Sequence, residues 1–589
     1  MAEKFDNLDK EQLINYINDL RRQLNNEKYG LYFDRKATPE TIVEECKNKI
    51  PLLRRNKNMD ISNNGINHLL IEGDNFNVLT SLSLINNSEG IVDVIYIDPP
   101  YNTQNKDFVY NDRFVDEEDS FRHTKWLNFM EKRLRLAKPL LKQHGLIFIS
   151  IDDNEQAQLK LLCDSIFGPQ NFVTTFIIDK TAQGANQSST FKTQHEFLHC
   201  YAKNIFEAKI NYNFESERDE AKYKFKDNLG WYAVTNSFDS INSPLSSNQN
   251  RGYTVYYNET TTDAIVRDEY NRDAKSFGEF DKELIDKGYV AIRPGIRKGI
   301  QYPWNWTADR FLRDYKQELV FSQNRDGRLN IYHKNRFTGL VKDTSIKKFD
   351  TRKFGNGLLV DILGKKKFDY PKSLDMMKWV VSKIEVQNPV ILDFFAGSGT
   401  TAQAVLELNK EDGGTRKFIL CTNNEGNIMT DVCYPRIKTI ISGKREDGSK
   451  YSNGVSANVI YFKEDFVDTN SSNDQVKYNL VQEIDSLLCI LEESFVEIEQ
   501  SDKYAIYENN NKTKLTIIFR DFYNKADFSK LESFFKENKR KNITFYQFST
   551  DNVVDENLFK EYENVVVKPI PNKIFEIYKT IVNDIKREY

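Results

Sequence analysis

The sequence predicts a doubly wound α/β fold assembled from two separated parts of the chain. In residues 61–178 short apolar runs alternate with helical stretches, the pattern of strands and crossover helices in a mostly parallel sheet. Two further apolar runs of this kind lie in residues 366–465. Residues 179–365 lack the alternation and are expected to form an inserted α+β domain, and residues 466–589 are expected to form a small C-terminal α/β domain.

The N-terminal segment, residues 1–60, is expected to be a largely helical arm that could serve as a dimer contact. Apolar residues recur there at helical spacing, and residues 39–50 are interpreted as a second helical segment. The first stripe consists of Leu8, Leu13, Ile17 and Leu20.

Six apolar runs are predicted as strands of the sheet. They lie at residues 69–71, 91–97, 146–151, 172–178, 390–394 and 418–421, with helices expected at 124–141 and 154–166. Ligands bind at the carboxyl ends of parallel strands, so the residues that follow these runs are the first candidates for a site.

The run at 91–97 is followed by Asp98-Pro99-Pro100-Tyr101. Two prolines fix φ, supply no N–H and leave their carbonyl oxygens free as acceptors. Such acceptors suit an exocyclic amine, because hydrogen bonds from its N–H groups draw the delocalised nitrogen toward sp³ geometry. Positioning of the reacting groups and electrostatics matched to the transition state can then supply most of the rate enhancement. The Tyr101 ring is available for stacking.

A glycine-rich turn, residues 393–401, follows a second apolar run. Gly397 and Gly399 allow the backbone to approach a ligand closely, and Ser398 and the threonines can cap the helix predicted from Thr400. Alone, such a turn is compatible with a mononucleotide, a dinucleotide or no ligand. Its pairing with the tetrapeptide is more informative.

As an ordered set, these motifs resemble those of amino-group DNA methyltransferases that use S-adenosyl-L-methionine, in the circular order that puts the catalytic tetrapeptide before the glycine-rich motif. More closely, the chain resembles the modification subunits of type III restriction-modification systems. The resemblance implies a Rossmann-like methyltransferase sheet, target recognition by the insert and extrusion of the target base. The stretches that carry it are residues 70–75, 95–103, 119–126, 147–155, 370–374, 393–401 and 421–425.

The resemblance assigns Asp98, Pro99, Pro100 and Tyr101 to catalysis. It implies that Asp74 binds the adenine amine of the cofactor and that Phe395, Gly397 and Gly399 surround its methionine part. It also implies that Lys372 and Ser373 close the pocket from the preceding helix. The cofactor-binding residues expected on this basis are Asp74, Asn75, Lys372, Ser373, Asp393, Phe395, Gly397, Gly399, Thr400, Thr422 and Asn423.

One position departs from the family pattern. Many relatives end the strand after the glycine-rich motif with an acidic residue for the ribose hydroxyls, whereas this chain has Thr422. Asn423 or Glu425 is the expected replacement.

Asp98 at the head of the tetrapeptide favours adenine N6 as the target, because the cytosine N4 enzymes of this group usually carry a neutral residue there. Cytosine N4 methylation remains the nearest alternative. A non-catalytic specificity subunit that delivers a nuclease is a second, against which the intact Asp98, Tyr101, Gly397 and Gly399 argue. Methylation of RNA is less favoured, since no RNA-binding signature is visible.

The insert is rich in Gly, Asn, Asp and aromatic residues and is the predicted target-recognition domain. Arginine suits guanine edges and phosphates, and amides suit adenine. The predicted DNA contacts are Asn102, Arg293, Arg297, Lys298 and Trp304. The alternative for Trp304 and Trp306 is a place in the core of this domain.

Bulk properties fit a specific DNA-binding protein. The formal net charge of −4 excludes a uniform positive coat, but basic residues can still gather on one face. Six scattered cysteines predict free thiols in a reducing compartment, and the absence of a signal-like or membrane-spanning run predicts a cytoplasmic protein. His195, His199 and Cys200 lack a further ligand pair, so no metal is predicted.

The C-terminal region has its own pattern. A helical stripe from Leu480 to Phe495 is followed by predicted strands at 515–519, 543–548 and 565–567, and Pro571 opens a final helix. By resemblance, this domain contacts a second modification subunit in a homodimer or a restriction subunit.

Overall fold

The structure is a computed structural model of the chain. It describes residues 31, 33–34, 40–86, 89–103, 108–110, 113–114, 121–180, 191, 193–215, 220–240, 243–324, 327–337, 340–520, 525–548, 554 and 559–570. The predicted stripe from Leu8 to Leu20 and the helix predicted from Pro571 lie outside these residues.

Within its described residues, the first part of the chain supplies eight strands and four helices. The strands are β1 (Lys49–Arg55), β2 (Ile66–Glu72), β3 (Val92–Ile97), β4 (Val109–Tyr110), β5 (Arg113–Phe114), β6 (Leu141–Ile151), β7 (Phe172–Lys180) and β8 (His195–Ala202). The helices are α1 (Thr41–Glu45), α2 (Asn75–Leu84), α3 (Arg122–Leu140) and α4 (Gln156–Phe167).

Residues Tyr212–Asp343 form a compact unit of their own. Its strands are β9 (Asn213–Glu215), β10 (Phe225–Asp227), β11 (Gly230–Ser237), β12 (Thr254–Asn258), β13 (Asp263–Arg267), β14 (Tyr270–Asn271), β15 (Ser276–Phe277), β16 (Val290–Ile292), β17 (Ile296–Arg297), β18 (Ile300–Gln301), β19 (Leu319–Gln323), β20 (Leu329–Arg336) and β21 (Leu340–Lys342). Its helices are α5 (Lys282–Asp286) and α6 (Ala308–Glu318). A four-stranded sheet β10-β11-β20-β19 and a three-stranded sheet β13-β12-β16 surround an aromatic core.

The second part of the main unit follows. Its strands are β22 (Ile346–Phe349), β23 (Val390–Asp393), β24 (Lys417–Thr422) and β25 (Ala457–Asp468). Its helices are α7 (Leu358–Leu363), α8 (Leu374–Val381), α9 (Thr400–Asp412) and α10 (Tyr434–Ser442).

Both parts contribute to one ten-stranded sheet of order β1-β25-β2-β24-β23-β3-β6-β8-β7-β22. The six strands from β25 to β6 run parallel to one another. Side chains alternate between the faces: Ile95 and Ile97 join a core with α2, α3 and α4, whereas Val94 and Tyr96 join a second core with α8, α9 and α10. Helices therefore cover both faces, and the predicted doubly wound fold is confirmed.

Two expectations about the sheet need correction. Residues 49–55 form strand β1, antiparallel to β25, although residues 39–50 were interpreted as helical. The apolar residues Ile50, Leu52 and Leu53 are buried there, and Pro51 is tolerated because β1 is an edge strand. The compact unit Tyr212–Asp343 also covers fewer residues than the predicted insert, 179–365. Strands β8 and β22 lie within the predicted range but hydrogen-bond into the main sheet.

The C-terminal region carries helices α11 (Asn473–Glu483), α12 (Asp485–Glu492) and α13 (Lys525–Glu537). Five strands, β26 (Val496–Gln500), β27 (Tyr504–Glu508), β28 (Lys514–Phe519), β29 (Asn542–Gln547) and β30 (Val565–Pro569), form one sheet in chain order. Leu487 and Leu488 of α12 share a core with Leu52 of β1, so this region packs on the β1 side of the main sheet.

Within the described residues, no helix is both long and apolar enough to cross a membrane. All six cysteines are buried, and no disulfide bond joins any two of them. His199 lies 2.9 Å from the Thr175 hydroxyl, and His, Cys, Asp and Glu side chains form no metal-binding group among the described residues.

Candidate active site at the carboxyl ends of β3 and β23

The two predicted motifs follow neighbouring strands. β23 pairs in parallel with β3, with Ile391 opposite Val94 and Leu392 opposite Ile95. Asp98 therefore leaves the same edge of the sheet as the glycine-rich turn, although almost three hundred residues separate the two. This edge is where open α/β sheets bind ligands.

The tetrapeptide is held by the first turns of helix α3. The indole Nε1 of Trp126 donates a hydrogen bond to the Pro100 carbonyl at 2.7 Å. The expectation that both proline carbonyls are free is therefore wrong for Pro100. The structure gives the Pro99 carbonyl no hydrogen bond within the described residues, so Pro99 keeps the acceptor that an amine needs.

Lys372 brings together the charged groups beside the tetrapeptide. Its Nζ lies 3.0 Å from Asp98 Oδ1, 2.6 Å from the Tyr101 hydroxyl and 3.1 Å from Glu196 Oε2. Glu196, on β8, is also 2.7 Å from Lys180 Nζ. Two carboxylates and two ammonium groups thus form one network, in which Glu196 is almost inaccessible to solvent.

The network sets the charges of the site. Burial opposes ionisation of Glu196, yet Lys372 and Lys180 hold its pKa down to about 2. Burial raises the pKa of Asp98, with Lys372 acting in the opposite direction. Burial would lower the pKa of Lys372, but Asp98 and Glu196 raise it. Lys372 and Glu196 are therefore charged at neutral pH.

The glycine-rich turn has the backbone that its sequence predicts. Gly397 and Gly399 have φ of 51° and 77°, in the left-handed region that favours glycine. The carboxylate of Asp393 accepts hydrogen bonds from the Thr401 hydroxyl at 2.5 Å and from the Phe395 N–H at 3.0 Å. Burial raises the pKa of Asp393 to about 7. Asp393 thus stabilises the turn from within.

Asp74 caps helix α2 beside the turn. Its Oδ1 accepts the Phe76 N–H at 2.7 Å and lies 3.5 Å from the buried Arg133 guanidinium. Arg133 also donates to Asn75 and pairs with Glu40 at 2.7 Å. The Asn75 side chain donates to the Phe394 carbonyl at 3.2 Å and so links α2 to the glycine-rich turn.

The expected pocket-closing residues, Lys372 and Ser373, lie just before helix α8 and not within it as expected. Lys372 is in the network with Asp98, and Phe368 lies against Gly397, 4.0 Å from where a Cβ would stand. Ser373 is fully buried, and its hydroxyl has no hydrogen-bond partner within the described residues. A buried hydroxyl without a partner is unfavourable, so Ser373 has hydrogen-bonding capacity left for a ligand.

The remaining predicted cofactor residues differ in exposure. The Thr400 hydroxyl accepts a hydrogen bond from the buried Arg436 at 2.7 Å and stabilises the start of α9. Thr422 is buried at the end of β24, and its carbonyl accepts the Gly73 N–H at 3.1 Å. Asn423 and Glu425 are exposed after it. Their ribose contact stays a prediction.

The predicted DNA contacts in the insert are of two kinds. Trp304 is fully buried, and its Nε1 donates to the Tyr253 carbonyl at 2.8 Å. Its place in the core corrects the expectation of a DNA contact. Arg293 pairs with Glu269 and Arg297 with Asp239, at 2.7 and 2.8 Å. Lys298 is exposed at the tip of the β17–β18 hairpin.

Asn102 is also buried, with φ of 58°, and its amide donates to Glu155 Oε1 at 2.6 Å. This hydrogen bond occupies the Asn102 side chain, which was expected to contact DNA. Sequence reasoning gave Trp126, Glu155 and Glu196 no role. Trp126 and Glu155 lie in stretches that carried the family resemblance, which was the available signal. Nothing in the sequence pointed to Glu196.

Comparison with known proteins places this arrangement in a family. A family model described as DNA methylase matches residues 92–431, more than half of the chain. The type III restriction-modification enzyme EcoPI Mod subunit of Escherichia phage P1 is 30% identical over 447 residues, covering 71% of this chain and 67% of the relative. The type II methyltransferase M.KpnI of Klebsiella pneumoniae is 32% identical over 427 residues, covering 71% of this chain and 91% of that methyltransferase.

The EcoP15I Mod subunit of Escherichia coli is 28% identical over 449 residues, covering 70% of this chain and 67% of that subunit. The family match spans both motifs and the insert between them. The predicted resemblance is therefore confirmed. The chain belongs to the DNA methylase family and is a DNA methyltransferase similar to type III modification subunits.

Proposed function

We propose that this protein transfers a methyl group from S-adenosyl-L-methionine to N6 of an adenine extruded from double-stranded DNA at a specific sequence. The observation that carries the proposal is the placement of Asp98 and the Pro99 carbonyl at the same sheet edge as the glycine-rich turn. An exocyclic amine donates two hydrogen bonds, and these two acceptors match it.

The chain's own residues position the amine. Hydrogen bonds to Asp98 and Pro99 localise the lone pair on the nitrogen and orient it, and acceptors held in place before the reaction need no reorganisation. Tyr101 would stack on the base, since an extruded base needs an aromatic face. Asp98 is partly buried, which strengthens its electrostatic contacts while leaving the carboxylate accessible to a ligand.

The residues around the glycine-rich turn fit the cofactor. Gly397 and Gly399 permit a close backbone approach, and the unpartnered Ser373 hydroxyl can bond a polar group of the ligand. Asp74 and Asn75 lie beside the turn, where an adenosine amine can be accepted. When bound, S-adenosyl-L-methionine supplies an electrophilic methyl group.

The proposal extends to partners. By analogy with the Mod subunits among its relatives, the chain would act as the modification and specificity subunit of a type III system, as a homodimer with a restriction subunit. The insert unit Tyr212–Asp343 would read the target, with Lys298 and Arg297 among its contacts. Residues 466–589 would carry the partner contacts.

The test compares Asp98→Ala and Asp98→Asn with the wild type. Methyl transfer to plasmid DNA is measured and the modified base is mapped by single-molecule sequencing. Removing a preorganised acceptor should lower the methylation rate of Asp98→Ala by about 100-fold or more. Asp98→Asn keeps one carbonyl oxygen, so its rate should lie between those of Asp98→Ala and the wild type.

Modification confined to cytosine would contradict the adenine assignment. Wild-type protein that binds the cofactor and DNA without methylating either base would favour the specificity-subunit alternative. An Asp98→Ala rate equal to that of the wild type would show that the amine is bound elsewhere.

A further inference from the structure

A buried carboxyl group contacts the turn that carries the catalytic tetrapeptide. Glu155, just before α4, is wholly inaccessible to solvent. Its Oε1 accepts the Asn102 side-chain N–H at 2.6 Å and lies 2.7 Å from His123 Nδ1. Its Oε2 is buried without a hydrogen-bond partner within the described residues. Glu155 therefore links the turn to helix α3.

Asn102 follows Tyr101 in a conformation that needs support. Its φ of 58° lies in the left-handed region, which costs free energy for a residue with a side chain. Such conformations persist when surrounding contacts hold them, and they cluster at functional sites. The Glu155 contact is the hydrogen bond that holds the Asn102 side chain.

Helix α3 holds the same turn at a second point. Trp126, one helical turn after His123, donates to the Pro100 carbonyl. Pro100 and Asn102 flank Tyr101, so hydrogen bonds at both neighbouring residues hold the Tyr101 ring in place. The direction of the Pro99 carbonyl depends on the same backbone.

We propose that Glu155 is a positioning residue for methyl transfer, which through Asn102 and His123 fixes the turn that presents Asp98, Pro99 and Tyr101 to the target base. The proposal rests on the proposed function and assigns Glu155 no contact with the base or the cofactor.

The charge state of Glu155 determines which substitution can imitate its contacts. Burial raises the pKa of Glu155 to about 8, and the Asp152 carboxylate also raises it. The Asn102 hydrogen bond and the Arg122 charge act in the opposite direction. Burial and Arg122 lower the pKa of His123, so the imidazole is neutral at pH 7. Arg122 Nε donates to His123 Nε2 at 3.3 Å, which leaves the Nδ1 proton for Glu155. The contact therefore joins uncharged groups, and an amide can imitate it.

The experiment uses the full chain with Glu155→Ala, Glu155→Gln and, as a matched control, the exposed neighbour Asp153→Asn. Single-turnover methylation and calorimetric binding of S-adenosyl-L-methionine are measured. We expect Glu155→Ala to lose about 100-fold in rate, the cost of a small misplacement of reacting groups, with cofactor affinity unchanged. Glu155→Gln should keep most of the rate, and Asp153→Asn should match the wild type.

Rescue by the amide separates positioning from a general loss of structure. Glu155 Oε1 accepts in its contacts with Asn102 and His123, so Glu155→Gln should recover most of the rate that Glu155→Ala loses. Asn102→Gly keeps the left-handed backbone but removes the amide, and it should lower the rate without lowering cofactor affinity. This variant keeps the proposal testable if Glu155→Ala does not fold.

A wild-type rate in both Glu155→Ala and Asn102→Gly would overturn the inference. So would equal losses of rate in Glu155→Ala and Glu155→Gln. Absence of methylation by the wild type would instead refute the proposed function, so the two failures are distinguishable.

Discussion

At the scale of single residues, Glu196 determines the charge balance of the site. It lies between Lys180 and Lys372 and is the carboxylate that both ammonium groups contact. Lys372 also contacts Asp98, the acceptor that the amine needs. Removing one partner of a buried ion network leaves an uncompensated charge. Because Glu196 is a second negative partner, the positive charge of Lys372 is not balanced by Asp98 alone.

We expect Glu196→Gln to lower both the methylation rate and the stability at neutral pH. The folded pKa of Glu196 is depressed to about 2, so its ionised form stabilises the native state above its ordinary pKa of 4.5. This stabilisation should disappear as the pH falls from about 4.5 to 2, and the variant should lack that component. Chemical denaturation at several pH values measures it.

The exposed Glu207→Gln is the matched control and should follow the wild type at every pH. Equal acid sensitivity of the wild type and Glu196→Gln would show that the two lysines do not stabilise the Glu196 charge.

At the scale of elements, helix α9 begins and ends with a left-handed glycine. Gly399 precedes it with φ of 77°, and Gly413 follows it with φ of 73°. A Cβ at Gly399 would lie 3.1 Å from Cys433 Sγ, whereas a Cβ at Gly413 would meet nothing within 4 Å. The two ends thus share the backbone strain but differ in their surroundings.

We expect Gly399→Ala and Gly413→Ala each to lose about 1–2 kcal/mol of stability, because alanine disfavours the left-handed region. Gly399→Ala should also lose affinity for S-adenosyl-L-methionine, since the turn before α9 must approach the ligand. Denaturation and calorimetry separate the two effects. Equal cofactor affinity in both variants would contradict a role of this turn in cofactor binding.

The elements also show which sequence patterns were informative. The predicted strands at 91–97 and 390–394 are confirmed as β3 and β23, since continuous apolar runs are typical of strands buried on both faces. Strand β1 was missed because a short run such as residues 49–55 has no helical or alternating period. Strands β26 and β27 were also missed, and β26 alternates poorly because most of it is exposed.

At the scale of the whole molecule, the insert is a unit whose two ends meet. The Asp343 N–H donates to the Tyr212 carbonyl at 2.7 Å, so a short connection can replace the residues between them. We expect replacement of residues 213–342 by a short Gly/Ser linker to preserve cofactor binding, because the main unit has its own cores. Sequence-specific DNA binding should be lost.

Calorimetry with S-adenosyl-L-methionine and mobility-shift assays on target and scrambled DNA test this prediction. A deletion variant that still methylates only the wild-type site would show that target recognition lies outside the insert.

The reaction class, the order of the two motifs and most strands of the sheet could be predicted from the amino-acid sequence. These follow from local features: apolar periodicity, the tetrapeptide after a strand, and glycines where a turn requires them. The resemblance to type III modification subunits depended on the same motifs in order.

The groups that surround Asp98 are brought together by the folding of distant segments. Glu196 and Lys372 are 176 residues apart and meet because β8 and the loop before α8 converge at one sheet edge. Trp304 was expected to contact DNA, with the domain core as the alternative, and the structure places it in the core. Asn102 is hydrogen-bonded to Glu155. Burial and long-range contacts depend on how distant segments pack, and no local pattern contains that information.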